Sequence, residues 1–531
     1  MSRIELTNNS GKSWEKFQHN YIKGFAFLGN KLLSEEDILI ELLKSIKHNK
    51  LNEKLLELNG DFSAVISYQS NIYLIADKYK KYPLLYSKIN GEWIITDQSR
   101  SIMDFMPNYE GDEKALSTYF ALGYLHGNQT FLKNCKIVSA GAWVLLDDKA
   151  VSYEYHKHIY SKVSLTDDEI MRGCVNSLEN AIKRVILSIG DRPIWIPLSG
   201  GYDSRLLACV CKKLNIKNVS CFTYGYLDSY EVEISKKVAE TLGFPWFNVQ
   251  YTKEKFSTIA NSSIDEDYMY WAMNLNTTAH SQDFIAFKEL RSKGVIEDNA
   301  VILPGHSGEI LGRDQVPYDL LKSNKTVAEL LFHRYFNWNI IRQKYKKQIL
   351  NNLGASLNKT VAKNDKGLAI DLFTNWNIKN RQSNFIINSV RVYEYFGVDW
   401  RVPLWDDEVS EFWLSLPWEK NSEVKLYNQF MFENYFIPMN VAIYKKKNIS
   451  TNLLKKIKLP FNFKIKIKRK LLKLSFFKKR YDVNGETEKT NYYLNKLSSH
   501  STKSILLNKS HHNAVITFCQ IFLIKKYFEN K

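Results

Sequence analysis

Ser199, Gly200, Gly201, Asp203 and Ser204 fall within one hexapeptide, Ser-Gly-Gly-Tyr-Asp-Ser, and these residue types at this spacing suit a polyphosphate. Adjacent glycines let the backbone approach phosphate oxygens without a Cβ in the way. The hydroxyls of Ser199 and Ser204 can donate to those oxygens, and the Asp203 carboxylate is a hard ligand for a magnesium ion bridging them. No lysine follows the glycines, so the loop is not of the kinase and GTPase type. The flanks say how it is held. Pro193 to Leu198 is a short apolar run, while Leu206, Leu207, Val210 and Leu214 recur at helical spacing. The hexapeptide is therefore expected at a strand-to-helix turn, where the first helical N–H groups are unpaired donors at the positive end of the helix dipole.

Further strand and helix patterns alternate behind it. Val219 to Thr223 reads as a strand ending in Tyr224-Gly225, followed by a helical pattern on Ile234, Val238 and Leu242. Gly243 stands where a helix C-cap belongs, and Trp246 to Val249 reads as a third strand. A fourth, Ala300 to Leu303, runs into Pro304-Gly305-His306-Ser307-Gly308-Glu309. Such alternation predicts a parallel sheet wound by helices, with ligands at the carboxyl ends of the strands.

These motifs together resemble one branch of the adenylating PP-loop synthetases, the asparagine synthetase family, over roughly the C-terminal two-thirds of the chain. The resemblance implies an α/β fold, a parallel-sheet PP-loop domain of the adenine nucleotide α-hydrolase type. It also implies chemistry at the α-phosphate of ATP, with Mg2+ present, in which a carboxylate is adenylated and the acyl group passes to nitrogen. Leu198, Ser199, Gly200, Gly201, Asp203, Ser204, Thr223, Tyr224, Gly225 and Gly305 would then hold ATP and its pyrophosphate. Gly305 to Arg313 looks like the family's second loop, SGEGxDELFGG. Aligned on Gly305 and Leu311, it puts Glu309 on the acidic metal ligand beside Asp203 and His306 where a residue helps the nucleophile lose its proton. Glu231 matches an acidic residue that caps a helix near the site, and it equally fits a plain helix N-terminus. Glu394 to Asp406 resembles the E-x-R-x-P-F-L-D stretch, with Asp399 for the usual Glu. Pro438 to Ala442 leads into Lys445-Lys446-Lys447, where Lys446 falls on a lysine that stabilises charge in the transition state.

The N-terminal third differs in kind. Leu58 to Phe62, Ile72 to Asp77, Tyr82 to Tyr86 and Glu92 to Thr96 read as strands of a small antiparallel layer. They resemble the later part of the family's class II glutaminase domain, with its LNGxFA, RDxxGxxPLYY and xGxxxFxSE pieces. The family's glutamine-attacking cysteine follows the initiator methionine, whereas here Ser2 does, and no cysteine precedes Cys135. A serine hydroxyl is a far poorer nucleophile. The organisation expected is a truncated, degenerate glutaminase-like α+β domain at 1–155, an ATP-binding synthetase domain at 165–450 and a basic extension at 451–531.

Without glutamine hydrolysis in cis, the nitrogen would come from ammonia or an amine. The acid would be a small molecule, a sugar acid of a surface-polysaccharide pathway or a peptide. Intramolecular amide cyclases of the β-lactam synthetase or lasso-peptide kind, a tRNA-modifying PP-loop protein and a catalytically dead scaffold remain alternatives.

At 531 residues with ordinary apolar and charged fractions, the chain can bury a substantial core. Its six cysteines form no paired framework, and no apolar run is long enough to span a bilayer. A reducing, cytoplasmic setting is expected. Of the formal net charge of +18, Lys445 to Arg480 contributes fifteen basic residues and no acidic one. Leucines and phenylalanines interleave with the lysines, so this extension fits an ordinary solvated tail or peripheral contact with anionic lipid at the inner face of a membrane. Nucleic acid is the least favoured partner.

Overall fold

The computed structural model describes residues 2–7, 11–106, 110–157, 164–226, 228–260, 263–336, 343–357 and 360–443. Two antiparallel sheets form the first part, more than the single small layer expected. One contains Glu15–Phe17, Asn20–Leu28, Lys31–Leu33, Leu58–Tyr68, Asn71–Ala76, Ala142–Leu146 and Ala150–Glu154. The other orders Ser2–Glu5, Glu92–Thr96, Leu85–Ile89 and Cys135–Ile137, with Ser2–Glu5 running parallel to its neighbour. Val65, Leu74 and Val144 of the first sheet share a core with Tyr86 and Ile95 of the second. The opposite face of the larger sheet buries Ile38, Leu42 and Ile46 of a helix, Glu35–Lys47. Alternation along each strand therefore feeds two apolar layers rather than one.

The parallel sheet predicted by the alternating pattern is present. Its strands are β1 (Ile194–Pro197), β2 (Val219–Gly225), β3 (Trp246–Gln250), β4 (Val301–Ile302) and β5 (Asp399–Trp400), in the order β3-β2-β1-β4-β5, all parallel. The order reverses between β1 and β4. In open α/β sheets this switch point opens a crevice beyond the strand ends. Helix α1 (Asp167–Ile189) starts at a Thr166–Glu169 capping box. Helix α2 (Asp203–Lys213) follows the glycine hexapeptide and buries Leu206, Leu207 and Val210. Helix α3 (Tyr230–Leu242) is capped by Ser229 and stops at Gly243, whose φ of +73° suits a residue without a side chain.

The two parts share one continuous core cluster. Tyr79 meets Trp405 with ring centroids 4.1 Å apart. Lys78 pairs with Asp407 at 2.7 Å, and Arg401 lies 4.5 Å from the Phe25 ring. Lys80 occupies the glycine position of the RDxxGxxPLYY pattern and takes the left-handed backbone such a position calls for, with φ +54°. Lys446 and the basic extension lie outside the described residues. Among the described residues no helix is long and apolar enough to cross a membrane.

Candidate active site

A cleft of about 320 Å³ opens at the switch point, within the usual range for small-molecule sites. The hexapeptide after β1 forms one wall and the loop after β4 forms another. Leu198 donates its N–H to the Phe222 carbonyl at 2.8 Å, which fixes the start of the first loop against β2. Inside it, the Ser199 N–H donates to Ser204 Oγ at 3.1 Å and the Gly201 N–H donates to Ser199 Oγ at 3.0 Å. The two hydroxyls lie 3.3 Å apart. Both serines thus brace the turn as well as facing the cleft.

The second loop depends on close approach. A Cβ at Gly305 would lie 2.4 Å from the Ser204 nitrogen, and one at Gly308 would lie 2.4 Å from Asp203 Oδ1. Only glycine lets the two loops meet here. Gly305→Ala is expected to part them and lower nucleotide binding at least tenfold, as calorimetric titration with an ATP analogue would show; unchanged affinity would refute this packing role.

Leu198, Ser199, Gly201, Asp203, Ser204, Thr223, Tyr224, Gly305 and His306 line this one cleft. Gly200 and Gly225 sit just behind it. The Gly200 carbonyl accepts from Arg205 Nη2 at 3.3 Å, and the Gly225 carbonyl accepts from the Tyr251 N–H at 2.8 Å. Glu231 lines the cleft from the first turn of α3, while Ser229, not Glu231, caps that helix by accepting the Glu231 N–H at 3.2 Å. Gln282, Asp283 and Tyr393 also line it, and no motif announces them. Asp283 precedes a helix, Phe284–Ser292, and in sequence looks like an ordinary cap, yet its side chain makes no capping bond. Instead it hydrogen-bonds Tyr393.

One expected role requires correction. Glu309 does not line the cleft. Its Oε1 accepts from Arg381 and, at 3.2 Å, from Gln382 Nε2, while Oε2 accepts from Gln315 Nε2 at 2.7 Å. A guanidinium and two amides from other elements occupy both oxygens, so the metal-sharing role does not fit. His306 is half-buried on the cleft wall, with Ser389 Oγ 3.0 Å from its Nε2. Loss of hydration, and secondarily His280 nearby, lowers its pKa to about 3. It stays neutral at physiological pH, and the same loss of hydration weakens it as a base. Removing a general base costs about 10²–10⁴-fold. His306→Gln is expected to cost less than about tenfold, and the wild-type rate should show no inflection near pH 6.5; a larger loss together with such an inflection would restore the basic role. Any stability linked to this depressed pKa is present above the ordinary histidine value and is lost as pH falls toward 3.

Charge decides what the cleft can accept. Its described lining carries the carboxylates Asp203, Glu231 and Asp283 and no lysine or arginine. A bare polyphosphate would be repelled, whereas a cation-complexed one would not. Asp203 stands at the first position of α2, and Oδ1 accepts the Tyr427 hydroxyl at 3.0 Å. That carboxylate, the cleft's other oxygen groups and the glycine cradle fit a hard divalent cation such as Mg2+.

The asparagine synthase family profile matches residues 175–458, more than half of the chain and the segment that builds this cleft. The chain belongs to the asparagine synthase family. A curated relative, asparagine synthetase [glutamine-hydrolyzing] 1 of Bacillus subtilis (strain 168), is 24% identical over 208 residues, or 38% of this chain and 32% of that protein. The aligned stretch thus spans about a third of that relative's length. Among solved structures, the NH3-dependent NAD synthetase of Campylobacter jejuni subsp. jejuni NCTC 11168 is 16% identical, covering 41% of this chain and 96% of that one, with a TM-score of 0.22. The U34-tRNA thiolase NcsA of Methanococcus maripaludis is 15% identical, covering 45% and 83%, also at 0.22. Those scores are low, and the family assignment rests on the profile match.

Within this asparagine synthase fold, the motif around Glu394 is a pair of buried ion pairs. Asp399 on β5 accepts from Arg401 at 2.8 Å and from Arg192 at 2.9 Å. Glu394 pairs with Arg391 and accepts the Trp400 indole N–H at 2.9 Å. These groups do not line the cleft. Arg205 is also buried behind the cleft. Its Nη1 donates to the carbonyls of Val441 and Ile443 at 3.1 and 2.7 Å. It therefore ties the hexapeptide to the chain segment just before the three lysines.

Proposed function

We propose that this protein is an ATP-dependent amide-forming ligase. A carboxylate oxygen attacks the α-phosphorus of ATP, and pyrophosphate leaves. The nitrogen of ammonia or of an amine then attacks the acyl carbon, AMP leaves, and the nitrogen loses a proton. One observation carries this reading. Two glycine loops from strands on either side of the switch point meet at Asp203, within the family-matched segment. In the proposal, Ser199, Ser204, the Gly200–Gly201 backbone and the start of α2 hold pyrophosphate. Thr223, Tyr224, Gly225 and Gly305 border the nucleotide. Asp203 holds Mg2+, which when bound offsets phosphate charge. Lys446 remains the proposed cation for the acyl transfer; the Ile443 carbonyl, three residues before it, is anchored to α2 by Arg205.

The described thiols support a nitrogen source other than glutamine. Cys135, Cys174, Cys209, Cys211 and Cys221 are all buried. Burial pushes the Cys135, Cys209 and Cys211 thiols up to about 12 and raises Cys174 and Cys221 as well. Among the described residues no thiol is poised to attack glutamine. Ser2 is exposed in an edge strand, which further favours ammonia or a substrate amine, with a degenerate glutaminase-like layer at 1–155. The test is ATP–pyrophosphate exchange over a panel of acids comprising aspartate, uronic-acid sugars and carboxyl-bearing peptides. Exchange dependent on one acid is expected, with glutamine unable to replace ammonia. Absence of exchange with every acid would favour a scaffold, and glutamine-driven product formation would overturn the nitrogen assignment.

A further inference from the structure

A second, smaller cavity of about 30 Å³ lies away from the cleft, where the antiparallel sheets meet the synthetase half. Lys80, Lys81, Asn274, Thr277, Asn384 and Arg391 help to line it, each at least nine-tenths buried. No carboxylate lines it. Three buried polar atoms of its wall have no hydrogen-bond partner, namely Arg391 Nε, Arg391 Nη2 and Thr277 Oγ1. Two of its cations have carboxylate partners, Lys81 with Asp61 and Arg391 with Glu394. Lys80 bonds the amide oxygen of Asn384 instead. Lys80 is therefore the one cation of the cavity wall with no carboxylate in contact, Asp77 being the negative charge that acts on it from behind the wall, and burying an ammonium without a contacting counterion is costly. The lysine is also held in left-handed backbone, φ +54°, which side chains adopt only under constraint.

We propose that this cavity binds one small monovalent anion of halide size, held by the Lys80 ammonium and the free Nε and Nη2 donors of Arg391. The volume suits a single ion or a water or two and excludes a nucleotide or a sugar acid. Chloride is the obvious cellular candidate on size and charge. The site is independent of the ATP cleft and does not rest on its function.

Binding is linked to protonation. Burial lowers the Lys80 pKa to about 7, with Asp77 opposing the shift. The other charges facing it are the paired Lys81 and Arg391. An ammonium with a depressed pKa destabilises the fold most at low pH, where it is charged in the folded state, and the penalty fades as pH rises from about 7 toward the ordinary lysine value of 10.5. A bound anion relieves that penalty, so its effect is largest below pH 7 and fades above it.

The experiment uses the full chain in sodium chloride or bromide against sodium gluconate at equal ionic strength. Halide is expected to raise the melting temperature by about 2 °C or more at pH 6, with a smaller increment at pH 9. Lys80→Gly, which the left-handed backbone accepts, should abolish the increment, and Thr277→Val should keep it. Crystals grown in bromide should show an anomalous peak between Lys80 and Arg391. A water there with no bromine signal, or an equal halide increment in Lys80→Gly, would overturn the proposal.

Discussion

Asp203→Ala is expected to lower ATP–pyrophosphate exchange by about 10²–10³-fold, the loss typical of removing one preorganised group that offsets developing charge. The same variant should fold. Asp203 contributes a carboxylate near a helix N-terminus and one hydrogen bond from Tyr427, worth together about 1–2 kcal/mol. Asp203→Asn sharpens the test because it keeps an acceptor for the Tyr427 hydroxyl while removing the charge. If the asparagine variant is as inactive as the alanine variant, the charge is what matters, as a cation-holding role requires. Retained exchange in Asp203→Ala would sink the assignment. No other described carboxylate of the cleft stands at the meeting point of both glycine loops.

The largest stability effect is expected from Arg401→Met. Asp399 is 1% exposed and would be left with Arg192 as its one charged partner, beside the Trp400 backbone N–H. Breaking a buried pair in this way costs about 3–5 kcal/mol, because the surviving charge stays desolvated. The urea midpoint should fall accordingly. Loss of contact with Phe25 should also loosen the antiparallel sheets from the synthetase half, visible as faster proteolysis between them. Burial pushes the Asp399 carboxyl up, but Arg401 and Arg192 outweigh it and hold the group below its ordinary 3.8. A depressed carboxylate contributes stability that is present above pH 3.8 and is lost as pH falls below it. The wild-type protein should therefore lose stability through this group on acidification below pH 4, and Arg401→Met should flatten that dependence. A loss of unfolding free energy below about 1 kcal/mol would show that Arg192 and the Trp400 N–H suffice to hold the Asp399 charge.

The glycine hexapeptide illustrates what could be read in advance. Its strand, turn and helix are contiguous, and its binding groups are mostly backbone atoms and neighbouring hydroxyls, so spacing alone specifies it. The loop after β4 was legible for the same reason in its glycines, Gly305 and Gly308. Its side chains were not. Glu309 sits at the right spacing for a ligand, yet Arg381 and Gln382, some seventy residues later, turn its carboxylate away. His306 likewise has a type suited to proton transfer, and its burial beside His280, which weakens it as a base, is invisible in the spacing. Asp283 and Tyr393 carry no local signature. They meet at the cleft because the segments after β3 and before β5 converge there.

What the sequence determined by itself is therefore the parallel sheet and the glycine-rich turn, fixed by short-range periodicity and backbone geometry, and, through the resemblance of its spaced motifs, the family. Tertiary structure alone decided which carboxylates face the cleft, how far His306 is stripped of water, and that Lys80 is buried in a cavity without a carboxylate. Those properties depend on desolvation and on charges brought together from distant parts of the chain. Neither is encoded in the spacing of adjacent residues.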